Sequence, residues 1–70
     1  MTPAVGRLLA LDDCTVMRFR RGQRYPGLTF LLEKATAKIE GFTGAHMDVR
    51  ITDKGRAEAA KIRKELKNAR

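Results

Sequence analysis

Seventy residues with a net charge of +7 set the first limits, because folding a chain this short hides only about 60% of its unfolded surface and leaves a thin core that a second copy would help to cover. No apolar run approaches the roughly 18 residues that span a bilayer, serine is absent, and one Cys with one His excludes an internal disulfide, a serine nucleophile and an ordinary four-ligand zinc site. Fifteen Lys and Arg against eight Asp and Glu favour polyanionic partners: nucleic acid, an acidic protein surface or anionic lipid.

Thr2-Pro3 reads as a helix start, a capping hydroxyl followed by proline in the first turn, and Val5, Leu8 and Leu9 share a face. Asp12 and Asp13 stand at the negative end of the helix dipole, which predicts a helix over residues 2–11. The opening residues lack the basic start and long apolar run of an export signal, so a cytoplasmic location is expected. Cys14 reads as a small buried hydrophobe. With His46 it has no evident orienting third group, and neither catalysis nor a metal or other cofactor is expected.

Over residues 15–20, Thr15, Met17 and Phe19 alternate with Val16, Arg18 and Arg20 as in a strand, while Val16, Phe19 and Gln23 also suit a short helix. The β-branched and aromatic content favours the strand. Gly22 and Tyr25-Pro26-Gly27 mark a turn. From Leu28 the apolar positions Leu28, Leu31, Leu32, Ala35, Ile39 and Phe42 step by three or four, which predicts one continuous helix ending near Gly41. Phe30 lies off that stripe, as an exposed contact or as cover for the core's second edge.

Met47, Val49 and Ile51 then alternate with Asp48, Arg50 and Thr52, a half-buried strand. At Thr52 or Asp53 the period changes to that of a capped helix with apolar positions Ala59, Ile62, Leu66 and Ala69. Lys54 with Glu58 and Lys61 with Glu65 are four-apart pairs along it. Its stripe is mostly alanine, too little to insert in a membrane, so Ile62 and Leu66 are expected in core or homodimer packing.

The phrase Val49-Arg50-Ile51-Thr52-Asp53-Lys54-Gly55-Arg56 resembles the end of the wing in MarR-like winged-helix DNA-binding proteins, where a strand enters a capped helix through Leu/Ile-Thr-x-x-Gly-Arg. The resemblance spans about half the chain at most. It implies a recognition helix over residues 27–40, a short first wing strand and tip over 41–46, a second strand over 47–52 and a closing helix. By the same resemblance Lys34, Lys38 and Arg50 become DNA-contact candidates, with Arg56 nearby. A helix over 15–23 would complete a helix-turn-helix; a strand there argues against one.

Independently of the resemblance, Arg18, Arg20, Arg21 and Arg24 form a run with no acidic neighbour in sequence. If residues 15–20 and 47–52 are neighbouring strands, Arg18, Arg20 and Arg50 converge on one wet face as phosphate-binding guanidiniums. Tyr25 beside them stacks on a base or anchors the loop, and His46 reads as a solvated turn residue. The fold expected is a single small basic α+β domain, winged-helix-like, with about three helices and a small antiparallel sheet. The function expected is non-catalytic binding of nucleic acid, DNA over RNA, in transcription regulation and as a homodimer. The alternative is an accessory protein of the phage type that binds and modulates another protein.

Overall fold

Thr2 starts the first helix in the computed structural model, which describes residues 1–68: its Oγ1 accepts the Val5 N–H at 3.2 Å, and Pro3 opens α1 (Pro3–Cys14). Beyond it run β1 (Val16–Arg20), α2 (Leu28–Glu33), β2 (Ala37–Thr43), β3 (His46–Ile51) and α3 (Asp53–Asn68). The described residues thus form three helices and one three-stranded antiparallel sheet in the order β1-β3-β2, an α+β fold.

The helix α1 passes the expected stop at Leu11 and includes Asp12, Asp13 and Cys14. Arginines of α3 offset the dipole's penalty. Arg56 reaches both the Asp12 carboxylate (3.1 Å) and its carbonyl (3.3 Å), and Arg63 pairs with Asp12 (3.5 Å) and Asp13 (2.9 Å) and donates to the Leu9 carbonyl. The carboxylates of the last turn and the Asp12 carbonyl, which has no N–H partner within the helix, are satisfied together. The α3 ion pairs therefore run across to α1 and not along α3 through the expected Lys54–Glu58 and Lys61–Glu65 pairs. Cys14 is exposed at the last residue of α1, its Sγ donating to Ala10 O, and is not the buried small hydrophobe expected.

Thr15 stops α1 at φ 70°, ψ −48°, a costly backbone for a β-branched residue. Three contacts hold it there. Its N–H bonds Leu11 O, its carbonyl accepts Ile51 N–H at 2.9 Å, and its hydroxyl accepts from Arg56 at 2.7 Å. β1 then forms over residues 16–20, the strand reading of that segment.

The long helix expected over 28–42, and with it a recognition helix over 27–40, is not formed. The helix α2 ends at Glu33, and residues 37–43 are β2. Ala35 adopts φ 60°, the Ala35 N–H bonds Leu32 O and the Thr36 N–H bonds Leu31 O, which is a complete Schellman ending with alanine at its left-handed position. Thr36 adds its hydroxyl to the same Leu31 carbonyl at 2.9 Å. In place of the truncated first wing strand and tip expected over 41–46, β2 runs for seven residues, Ala37–Thr43. Glu40 is the extra residue of a bulge: Ile39 pairs with Val49 and Gly41 with Asp48. Gly44 at φ 57°, followed by Ala45, closes the β2–β3 hairpin as a two-residue turn with positive φ at its first position only, the sign pattern of type II′.

The core lies between the sheet and the helices: Leu8 and Leu11 of α1, Phe19 of β1, Leu28 and Leu31 of α2, Ala37 of β2, Val49 and Ile51 of β3, and Ala59 of α3. Met47 is half-buried at its margin. Thr52 joins the last strand to α3, its Oγ1 accepting Gly55 N–H (3.0 Å) and donating to Ala35 O (2.6 Å). In α3, Gly55 and Ala59 are buried and Ile62 packs on the core, whereas Leu66 is exposed; Ala69 lies outside the described residues.

Candidate nucleic-acid interface

Strand alternation places Arg18 and Arg20 of β1, Asp48 and Arg50 of β3, and Lys38 of β2 on the sheet face opposite the helices, since their neighbours Phe19, Val49 and Ala37 are buried. Because β1 and β3 are neighbours, the face carries Arg18, Arg20 and Arg50 together, but the register sets Arg20 opposite His46 and Arg50 opposite Val16, at the two ends of the strand pair, so the expected convergence of all three is not formed. Nor are these bare guanidiniums. Arg18 Nε donates to Asp48 Oδ1 at 3.1 Å directly across the pair, and Arg50 Nε donates to Glu40 Oε1 at 2.5 Å. The acidic partners absent from the sequence run come from β3 and β2. These pairs are largely exposed and contribute little stability, but they cancel much of the field at the centre of the face.

On this face, among the described residues, guanidiniums without a carboxylate partner lie at the hairpin end, while Lys38 is the unpaired cation at the other end. Arg20 is opposite His46, which is opposite Thr43, so one row across the sheet contains no carboxylate. Arg21 follows, its N–H bonded to Ala45 O in the hairpin turn at 2.7 Å, and its guanidinium lies 4.9 Å from the centre of the Phe42 ring. Arg24 is exposed in the connection to α2. No ion pair among the described residues includes Arg20, Arg21 or Arg24.

The connection over 21–27 is built firmly. Tyr25 OH accepts the Arg20 N–H at 2.7 Å and its ring meets Phe19 edge-on at 4.6 Å, so Tyr25 is the loop's anchor. Arg7 of α1 donates to Pro26 O at 3.0 Å and lies over both rings. Gly27 takes φ 86°, and a Cβ there would sit 2.5 Å from the Ala4 backbone, which fixes the start of α2 against α1. His46 is the first residue of β3, half-buried, and not a free turn residue.

The other candidates lie apart from this end. Lys34 caps α2 on the helix side of the molecule, above Phe30, beside an apolar cleft of about 300 Å³ lined by Val5, Leu8, Phe30, Leu31 and Ile62. Lys38, Arg50 and Arg56 surround a hollow at the opposite end of the sheet, where Arg56 is occupied by Asp12 and Thr15. The Ile-Thr-x-x-Gly-Arg phrase is thus a structural clamp here: Ile51 fills the core, Thr52 caps, Gly55 admits the Thr36 backbone and Arg56 ties α3 to α1.

Asp48, Glu40, Phe42 and Arg7 were not expected at the site. Asp48 was legible as the wet-face neighbour of Arg50, but its pairing with Arg18 needed the register. No helix among the described residues is long and apolar enough to cross a membrane. No family model matches the chain, and no curated protein or solved structure matches it.

Proposed function

We propose that this chain binds nucleic acid without catalysing a reaction, DNA in preference to RNA, as a small cytoplasmic regulator of transcription with a winged-helix-like body. The observation that carries the reading is the separation of its arginines: Arg18, Arg50, Arg56 and Arg63 are paired with carboxylates, whereas Arg20, Arg21 and Arg24 gather at the hairpin end without one. Guanidiniums kept out of internal pairs are available for phosphate. A hairpin leading into a capped closing helix also supports the winged-helix comparison. The six-residue α2 shifts the expected contacts from a recognition helix to the hairpin and the outer sheet face.

The test is fluorescence anisotropy with mixed duplex DNA and single-stranded RNA at several salt concentrations. Replacing Arg20 and Arg24 together by Ala should flatten the plot of log affinity against log salt by roughly one unit per lost phosphate contact, whereas Lys61→Ala and Lys64→Ala on the outside of α3 should change it less. A wild-type protein that binds neither nucleic acid removes the reading. The accessory-protein alternative then leads, with the cleft beside Phe30 as its docking surface.

A further inference from the structure

Phe42 is 60% exposed although it belongs to a strand of the sheet. The bulge at Glu40 explains the position: it restores Phe42 to the same side as Met47, its partner in register, but at the hairpin end, where the ring extends past the core. Arg21 covers part of the ring, and the Arg21 backbone is held by the hairpin turn itself. Met47, beside Phe42, forms one wall of a cleft of about 350 Å³ whose other walls include Gln23, Arg24, Tyr25, Leu28 and Leu32. Neither residues 14–32 nor residues 41–47 contain an acidic side chain.

A flat aromatic surface beside the Arg21 guanidinium, next to a part-apolar cleft that has Arg24 in its wall, matches a planar base attached to a phosphate chain. We propose that Phe42 and Arg21 form a stacking platform for an unpaired base of single-stranded nucleic acid, with Arg24 of the adjoining cleft holding a flanking phosphate. This rests on the nucleic-acid reading above and adds to it the state of the strand, because a base in an intact duplex has no free face to offer. Phe42 contributes affinity through stacking, which releases no counterion, so its effect is separable from that of the arginines.

The chain contains no tryptophan, so Phe42→Trp introduces a lone reporter at the platform. Labelled oligothymidylate and a closed DNA hairpin of similar length are titrated into this variant while anisotropy and tryptophan emission are recorded together. Emission should be quenched by the single strand in step with anisotropy, and less by the hairpin. Phe42→Ala, whose melting temperature should match the wild type because the ring is outside the core, should bind the single strand more weakly by roughly 5- to 150-fold with an unchanged salt slope. Rising anisotropy without quenching, together with wild-type affinity in Phe42→Ala, overturns the platform and leaves nucleic-acid binding intact. No anisotropy change with either oligonucleotide overturns both.

Discussion

Gly55 and Thr36 meet so closely that a Cβ on Gly55 would overlap the Thr36 carbonyl oxygen and lie 2.7 Å from Ile51 Cγ1. The contact locks the first turn of α3 onto the segment between α2 and β2, where Thr52 N–H also bonds Thr36 O at 3.1 Å. Backbone on one side and a core side chain on the other leave no flexible atom to yield. Gly55→Ala should therefore cost about 3 kcal/mol by overpacking, read from chemical denaturation. Gly41→Ala, which meets open space, should stay within about 0.5 kcal/mol of wild type. Equal stability of the two variants would reject the close approach.

Ala35 pays for its left-handed backbone where glycine would not. Its φ of 60° ends α2, and it is exposed, so no packing is lost by removing its methyl group. Ala35→Gly should raise stability by up to about 1 kcal/mol, the relief of the left-handed penalty offset in part by glycine's greater freedom in the unfolded chain. A helix running on through residue 42 would give the opposite sign, since glycine weakens a helix interior.

Asp48 restrains Arg18. Asp48→Asn keeps the shape of the side chain and removes its charge, releasing Arg18 on the outer sheet face. Affinity for nucleic acid should rise, and the salt slope should steepen by about one unit if Arg18 then reaches a phosphate. Anisotropy titrations of the two proteins side by side decide it; an unchanged slope confines binding to the hairpin end.

Leu66 and Phe30 are about half exposed, at 51% and 52%, and the total accessible surface is 4908 Å². A compact monomer of this mass is expected to expose about 4400 Å². A homodimer that buried Leu66 and Phe30 would remove part of that excess. Light scattering at micromolar concentration should give a dimer, and Leu66→Asp a monomer of the wild-type fold. A wild-type monomer of 7.9 kDa would reject homodimer packing without touching the fold.

The sequence alone determined the elements whose signal is local. Thr2-Pro3 marked the start of α1, alternation marked β3 and favoured β1, and Thr52 marked the entry to α3, because caps and period-two patterns act within a few residues. Only the tertiary structure decided the 28–42 segment. Leu28, Leu31, Leu32, Ala35, Ile39 and Phe42 satisfy a helical period as written, and the stop at Ala35 has no glycine to announce it; pairing of Ala37 with Ile51 and Ile39 with Val49 outweighs local preference and turns the second half into a strand. The arginines divide in the same way. Their abundance is local information, whereas their partners Asp48, Glu40, Asp12 and Asp13 lie at least ten residues away in sequence, so the register and the α1–α3 packing alone settle which charges are cancelled and which face solvent.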